Sequence, residues 1–229
     1  MRILPPALAP LGAYRQFILY RTVASATRPG KTDKLPVDYR TGEITEKGNG
    51  GAHDQNTWMD VATAIERLAF WGSGRADGIG FVFTAHDPFW FLDIDGAWDG
   101  SAWSPVAQQL CSMFEGAAVE VSQSGTGLHL FGTGAVPPHG TRLKRLGLEF
   151  YTSGRFVALT GLQAVGNAAT DFSDRLLSFV VQWFPPGAEY EPHPVWSTEP
   201  VPEWRGPTDD DDLIRRALLS ASLDRKSVV

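Results

Sequence analysis

The sequence predicts an α+β fold in which short strands outnumber helices. Short apolar runs closed by Gly, Pro, Asp or Ser recur along the chain, the mark of strands joined by turns. They do not alternate regularly with helices, as a parallel sheet would require. A 43% hydrophobic content with eight Trp and thirteen Phe is enough to fill a sizeable core.

After a proline-rich start, Gln16-Phe17-Ile18-Leu19-Tyr20 reads as the first strand. Residues 27–51 read as a long polar loop carrying Lys31 and Lys34 before Pro36; loops of that length in a compact domain are often functional. Trp58, Val61, Ala62, Ile65, Leu68 and Ala69 recur at helical spacing and predict a helix over 54–69, capped by Asp54 or Asn56. Residues 80–83 and 89–95 are expected to pair as an antiparallel hairpin around His86-Asp87-Pro88. Ser104-Pro105 opens the next helix, with Ser as cap and Pro at the first helical position. Its apolar face is Val106, Leu110, Met113 and Phe114, with Cys111 packed inertly. Strands are expected at 118–122, from Leu128, at 146–151 and at 155–161, with a loop over 137–145. A helix over 171–184 presents Leu176, Leu177, Val180, Val181 and Phe184 on one face. Three segments follow: a domain over 1–184, a Pro-rich linker over 185–207, and the start of a helical unit over 208–229. In the last, acids from Asp209 precede Arg215 and Arg216 in a helix-dipole order. The chain stops soon after, which reads as a fragment of a longer protein.

The formal net charge of −6 excludes a chain that binds nucleic acid through overall basicity, though not one with a local basic groove. The single cysteine, Cys111, excludes an internal disulfide framework and a cysteine-based zinc site. No signal-like start and no apolar run of spanning length is present, so a soluble, cytoplasmic protein is expected.

Chemistry concentrates in a few places. In Phe89-Trp90-Phe91-Leu92-Asp93-Ile94-Asp95-Gly96, strand periodicity puts Asp93 and Asp95 on one face and Leu92 and Ile94 in the core. Two like charges on a largely buried strand repel, and a divalent cation with oxygen ligands removes the conflict. A strand running into a polar turn is the plainer reading of the same residues. In the stretch from Ser124 to Gly132, Gly125 and Gly127 permit a tight turn whose N–H groups, with the Ser124 and Thr126 hydroxyls, suit a phosphate. His129 follows between Leu128 and Leu130 and is expected to face the groove. An ordinary turn with one satisfied histidine explains it equally. Arg142, Lys144 and Arg145 form a basic cluster suited to a phosphate backbone or to plain solvation. Glu149 lies inside an apolar strand pattern, a third carboxylate for a metal site, and Arg155 has the reach for a triphosphate.

Asp93-x-Asp95, then Ser124 with His129, then Glu149 on a strand, resemble in order the motifs of the archaeo-eukaryotic primase superfamily, specifically the primase-polymerases of phages and plasmids. Lys34-Leu35-Pro36, Thr41-Gly42 and Thr57-Trp58 resemble its N-terminal region, and Glu149-Phe150-Tyr151 with Gly154-Arg155-Phe156 its third-motif hairpin. The resemblance implies an antiparallel sheet like that of RNA-recognition folds, packed with helices. It implies template-directed nucleotidyl transfer, as DNA primase, DNA polymerase or both. Asp93, Asp95 and Glu149 would hold two Mg²⁺ or Mn²⁺ ions. Ser124, Gly125, Thr126, Gly127, His129 and Arg155 would bind the nucleotide, a dNTP or NTP. Lys34, Arg142, Lys144 and Arg145 would contact a single-stranded template and primer. The implied setting is phage or plasmid replication, in the host cytoplasm if phage-encoded. A replicative helicase is the expected partner, in the same or a neighbouring polypeptide, and no membrane is involved. The rival readings are a non-catalytic DNA-binding or replication-initiation module, a haloacid-dehalogenase-type phosphatase built on the Asp-x-Asp-Gly strand, and a metal-dependent nuclease.

Overall fold

The computed structural model describes residues 3–27, 30–45, 51–72 and 74–187. The linker and helical unit expected over 185–207 and 208–229 therefore lie, past residue 187, outside the described residues.

Among the described residues, nine strands build two antiparallel sheets. The first, in the order β2-β1-β3-β9, joins β1 (Phe17–Ala24), β2 (Thr32–Val37), β3 (Gly78–Phe83) and β9 (Arg155–Ala158). The second, in the order β5-β6-β4-β8-β7, joins β4 (Phe89–Ile94), β5 (Ala118–Val121), β6 (Leu128–Thr133), β7 (Arg142–Leu143) and β8 (Leu148–Tyr151). The helices are α1 (Val61–Trp71), α2 (Pro105–Met113) and α3 (Ser173–Trp183). Every pairing between these strands is antiparallel, which withholds the parallel scaffold that a dehalogenase-type phosphatase needs. No described helix is long and apolar enough to cross a membrane.

The expected hairpin of β3 and β4 does not form. Both strands are apolar on both faces and central in their sheets, so each needs two neighbours and takes them from elsewhere. The chain between them crosses from one sheet to the other. Asp87 fixes that crossing by accepting from Thr84 N (2.7 Å), Phe89 N (3.1 Å) and Gln16 Nε2 (2.8 Å). Residues 152–154 make a second crossing where a hairpin was expected, since β8 and β9 also lie in different sheets. Gly154 N donates to Phe83 O (3.1 Å), so the two crossings lie side by side.

Other boundaries shift for local reasons. The expected loop over 27–51 contains β2, an edge strand whose one strand neighbour is β1, where Pro36 is tolerated. An exposed edge lacks the apolar alternation that marks a strand. The expected loop over 137–145 holds β7 and the start of a 3₁₀ turn, Lys144–Leu146. Asp60, not Asp54 or Asn56, caps α1 by accepting from Thr63 N (2.8 Å); Asp54 caps the preceding 3₁₀ turn Gln55–Thr57. The Ser104 cap holds as expected, accepting from Ala107 N (3.2 Å). On α3 the buried stripe is Leu176, Phe179, Val180 and Trp183, while Leu177 and Val181 are exposed, because the helical period favours 176, 179/180 and 183.

β4 divides the two cores. Phe89 and Phe91 pack with Phe81, Phe83, Phe131 and Tyr151 where the sheets meet, and the Phe83 ring stacks on Phe91 with centroids 5.5 Å apart. Trp90, Leu92 and Ile94 point the other way, among Leu110 and Phe114 of the α2 region and Phe179 of α3. The expectation that Leu92 and Ile94 enter the core is met.

Candidate active site

The face of the five-stranded sheet that bears Phe89, Phe91 and Phe131 turns ionisable one step further along. The strand registers pair Glu120 with His129, His129 with Asp93, Asp93 with Glu149, and Glu149 with Arg142. One row of five charged or titratable side chains thus runs across all five strands, each beside its neighbour on the same face at cross-strand spacing. Asp95, two residues past Asp93, continues that face beyond the end of β4.

A cleft of about 520 Å³ opens over the row. Phe91, Asp93, Asp95 and His129 line it from the five-stranded sheet; Lys34 of β2 and Arg155 of β9 line it from the other. Asp93 is the centre of the electrostatics. Burial, reinforced by Asp95 and Glu149, pushes its carboxyl up to about 6 against the pull of His129 and Lys34. Among the described residues its Oδ1 is buried without a hydrogen-bond partner, and His129 Nε2 lies 3.9 Å away. Burial pulls the Lys34 amine below its ordinary range, opposed by Asp93 and Asp95, so this lysine faces the acids.

His129 is buried and its ring packs edge-on against Phe91. Its Nδ1 lies 2.9 Å from Glu120 Oε1. Glu149 is also occupied: Tyr151 donates to Oε2 (2.8 Å), Arg155 to Oε2 (3.1 Å), and Arg142 Nε lies 3.3 Å from Oε1. Arg142 therefore belongs to the sheet row, whereas Lys144 and Arg145 are exposed in the following turn. That turn ends at Gly147, with φ +65° and Asp95 O only 2.8 Å from where a Cβ would stand; its carbonyl accepts from Asp95 N (2.8 Å). The Ser124–Gly127 turn forms as expected, with Ser122 Oγ, Ser124 Oγ and Thr126 Oγ1 in a hydroxyl chain (3.1 and 3.0 Å). It sits beside Asp95 rather than in the cleft lining: a Cβ on Gly127 would lie 3.5 Å from Asp95 Cα.

Among the described residues no three His, Cys, Asp or Glu side chains stand close enough to hold a metal as placed, because Glu149 is drawn to two arginines. The orphaned, buried Oδ1 of Asp93 with Asp95 beside it nonetheless fits a divalent cation, since hard cations take carboxylate oxygens. Glu120 and Tyr151 also belong to the site, although sequence patterning did not single them out. Glu120 carried the same signal as Glu149, an acid between apolar neighbours on a strand, in Val119-Glu120-Val121.

The sequence has a counterpart among known proteins. The chain is 30% identical over 165 residues, 68% of its length, to a DNA primase-polymerase of Nitratiruptor phage NrS-1. Over that stretch it is related to a phage primase-polymerase. The match takes up 20% of the relative, so the chain spans about a fifth of the length of that protein. No family model matches.

Proposed function

We propose that the cleft is a nucleotidyl-transfer site and that the chain carries the catalytic part of a primase-polymerase of the archaeo-eukaryotic type. The observation that carries this reading is the cross-strand pairing of Asp93 with Glu149, with Asp95 two residues on and Lys34 and Arg155 opposite.

In this reading Asp93, Asp95 and Glu149 hold two Mg²⁺ or Mn²⁺ ions. When bound, the ions supply activation of a primer 3′-hydroxyl and neutralisation of the departing pyrophosphate. The protein's own part is to position and to balance charge, so it needs no nucleophile. Glu149 would have to leave its arginines to help hold the cations, and Arg155 would then be available to the triphosphate of a dNTP or NTP. His129 and the Ser124–Gly127 turn receive phosphate oxygens beside it. Lys34 balances charge between the acids and the substrate. Lys144 and Arg145, with Arg142 behind them, meet the phosphates of a single-stranded template and primer. Such an enzyme works in phage or plasmid replication in the cytoplasm, beside a helicase.

The test is incorporation of labelled dNTPs on single-stranded DNA with Mg²⁺ or Mn²⁺, with and without a primer. Divalent-dependent product that disappears in Asp93→Ala is expected, and unprimed product would add primer synthesis. A folded chain that binds DNA equally well with or without Asp93, and incorporates nothing, would leave a non-catalytic binding module.

A further inference from the structure

Glu120 is fully buried, yet nothing in the chemistry above uses it. Its carboxylate is surrounded by donors. Thr160 N lies 3.1 Å from both oxygens, and Gly161 N donates to Oε2 (2.7 Å). These donors are fixed, because the segment that bears them is laced to the edge of the five-stranded sheet. Thr160 Oγ1 donates to Val121 O (2.6 Å), Val121 N to Leu162 O (2.9 Å), and Val119 bridges Val165. The Glu120 oxygens are thereby committed as acceptors, and His129 Nδ1, 2.9 Å from Oε1, is the donor. With Nδ1 engaged and the ring edge-on to Phe91 and Phe131, Nε2 is left to the cleft, and it makes no hydrogen bond to any described residue there. With Nδ1–H held by Glu120, Nε2 is the nitrogen left to face a phosphate oxygen, and it donates there when it too carries a proton.

We propose that Glu120 is the positioning residue of the cleft: it fixes Nδ1–H of His129 and so aims Nε2 at the phosphate oxygens of the bound nucleoside triphosphate. This rests on the nucleotide reading of the site and adds to it a residue that touches neither substrate nor reacting atoms.

The experiment is nitrogen NMR of the five histidines, with dGTP and Mg²⁺ as the probe. In the wild type, Nδ1 of His129 is protonated before and after dGTP, and Nε2 is the nitrogen whose resonance moves. In Glu120→Gln the Thr160 and Gly161 N–H groups select the amide oxygen, which turns the amide NH₂ toward His129. Nδ1 must then accept, and its resonance moves to the unprotonated range. Nε2 then carries the ring's one proton and donates from a neutral ring that Glu120 no longer holds, so the nucleotide KM rises, by up to about tenfold, with kcat changing less. An unprotonated Nδ1 in the wild type, an Nε2 blind to dGTP, or an unchanged KM in a folded Glu120→Gln would overturn the proposal. The wild-type spectra decide the matter even where the variant fails to fold. They need no turnover either: a chain that copies no template but moves Nε2 on dGTP refutes nucleotidyl transfer and keeps Glu120's role.

Discussion

Asp93 carries a conflict that only a ligand relieves. Its carboxyl titrates at about 6 rather than near 3.8, so between those values the folded chain keeps a proton that the unfolded chain has released. Stability in metal-free buffer should therefore fall as pH rises through that window. The penalty at neutral pH is roughly 3 kcal/mol at most, two units at about 1.4 kcal/mol each. Asp93→Asn removes the charge and keeps the shape. It is expected to raise the melting temperature at neutral pH, flatten the pH dependence between 4 and 6, and abolish incorporation. Thermal melts of the two proteins across pH check this; a variant less stable than wild type at pH 7 would contradict the buried-charge account. That Asp93 and Asp95 share a face was legible in sequence, because period-two spacing on an apolar strand sets their direction. Glu120 was not, since the same pattern there lacked any partner within the strand: His129 and the Thr160-Gly161 donors arrive only through tertiary pairing.

At the scale of elements, the site depends on how tightly β4, β6 and the turn before β6 approach one another. Gly127 is where this shows. A Cβ there would lie 2.7 Å from Ile94 O and 2.8 Å from Ser122 Oγ, and the first of these is backbone that cannot swing away. Gly127→Ala should cost about 1–3 kcal/mol by overpacking and weaken nucleotide binding through displacement of the adjacent turn. Denaturant unfolding alongside a nucleotide titration would measure both; full stability with unchanged binding would show that the close approach is not needed. Strands and helices were readable one by one from apolar runs and caps, but not their partners. The two expected hairpins failed because β3, β4, β8 and β9 resemble one another locally, and only the demand of each central strand for two neighbours sorts them into sheets. β2 went unseen because an edge strand with Asp33, Lys34 and Pro36 has no pattern of its own, although it delivers Lys34 to the cleft.

For the molecule as a whole, the proposed function requires a net charge of −6 to coexist with a polyanionic template. In that reading the conflict is resolved locally: Asp93 and Asp95 would face cations, and the exposed Lys144 and Arg145 would face the template. Replacing both with Ala should weaken single-stranded DNA binding across all sequences. It should also reduce the slope of log affinity against log salt by about 0.7 for each phosphate left without its cationic side chain. Fluorescence anisotropy at several salt concentrations reads that slope, and an unchanged slope would move the template elsewhere. The central claim is that the cleft joins nucleotides as a template directs. Its most direct measurement offers each of the four dNTPs singly to a primer whose next template base is varied, with Mg²⁺ or Mn²⁺. Wild type should add the complementary nucleotide in each case and none without the divalent ion, while folded Asp93→Asn adds nothing. Addition that ignores the template base, or that persists at the wild-type rate in Asp93→Asn, would contradict the account.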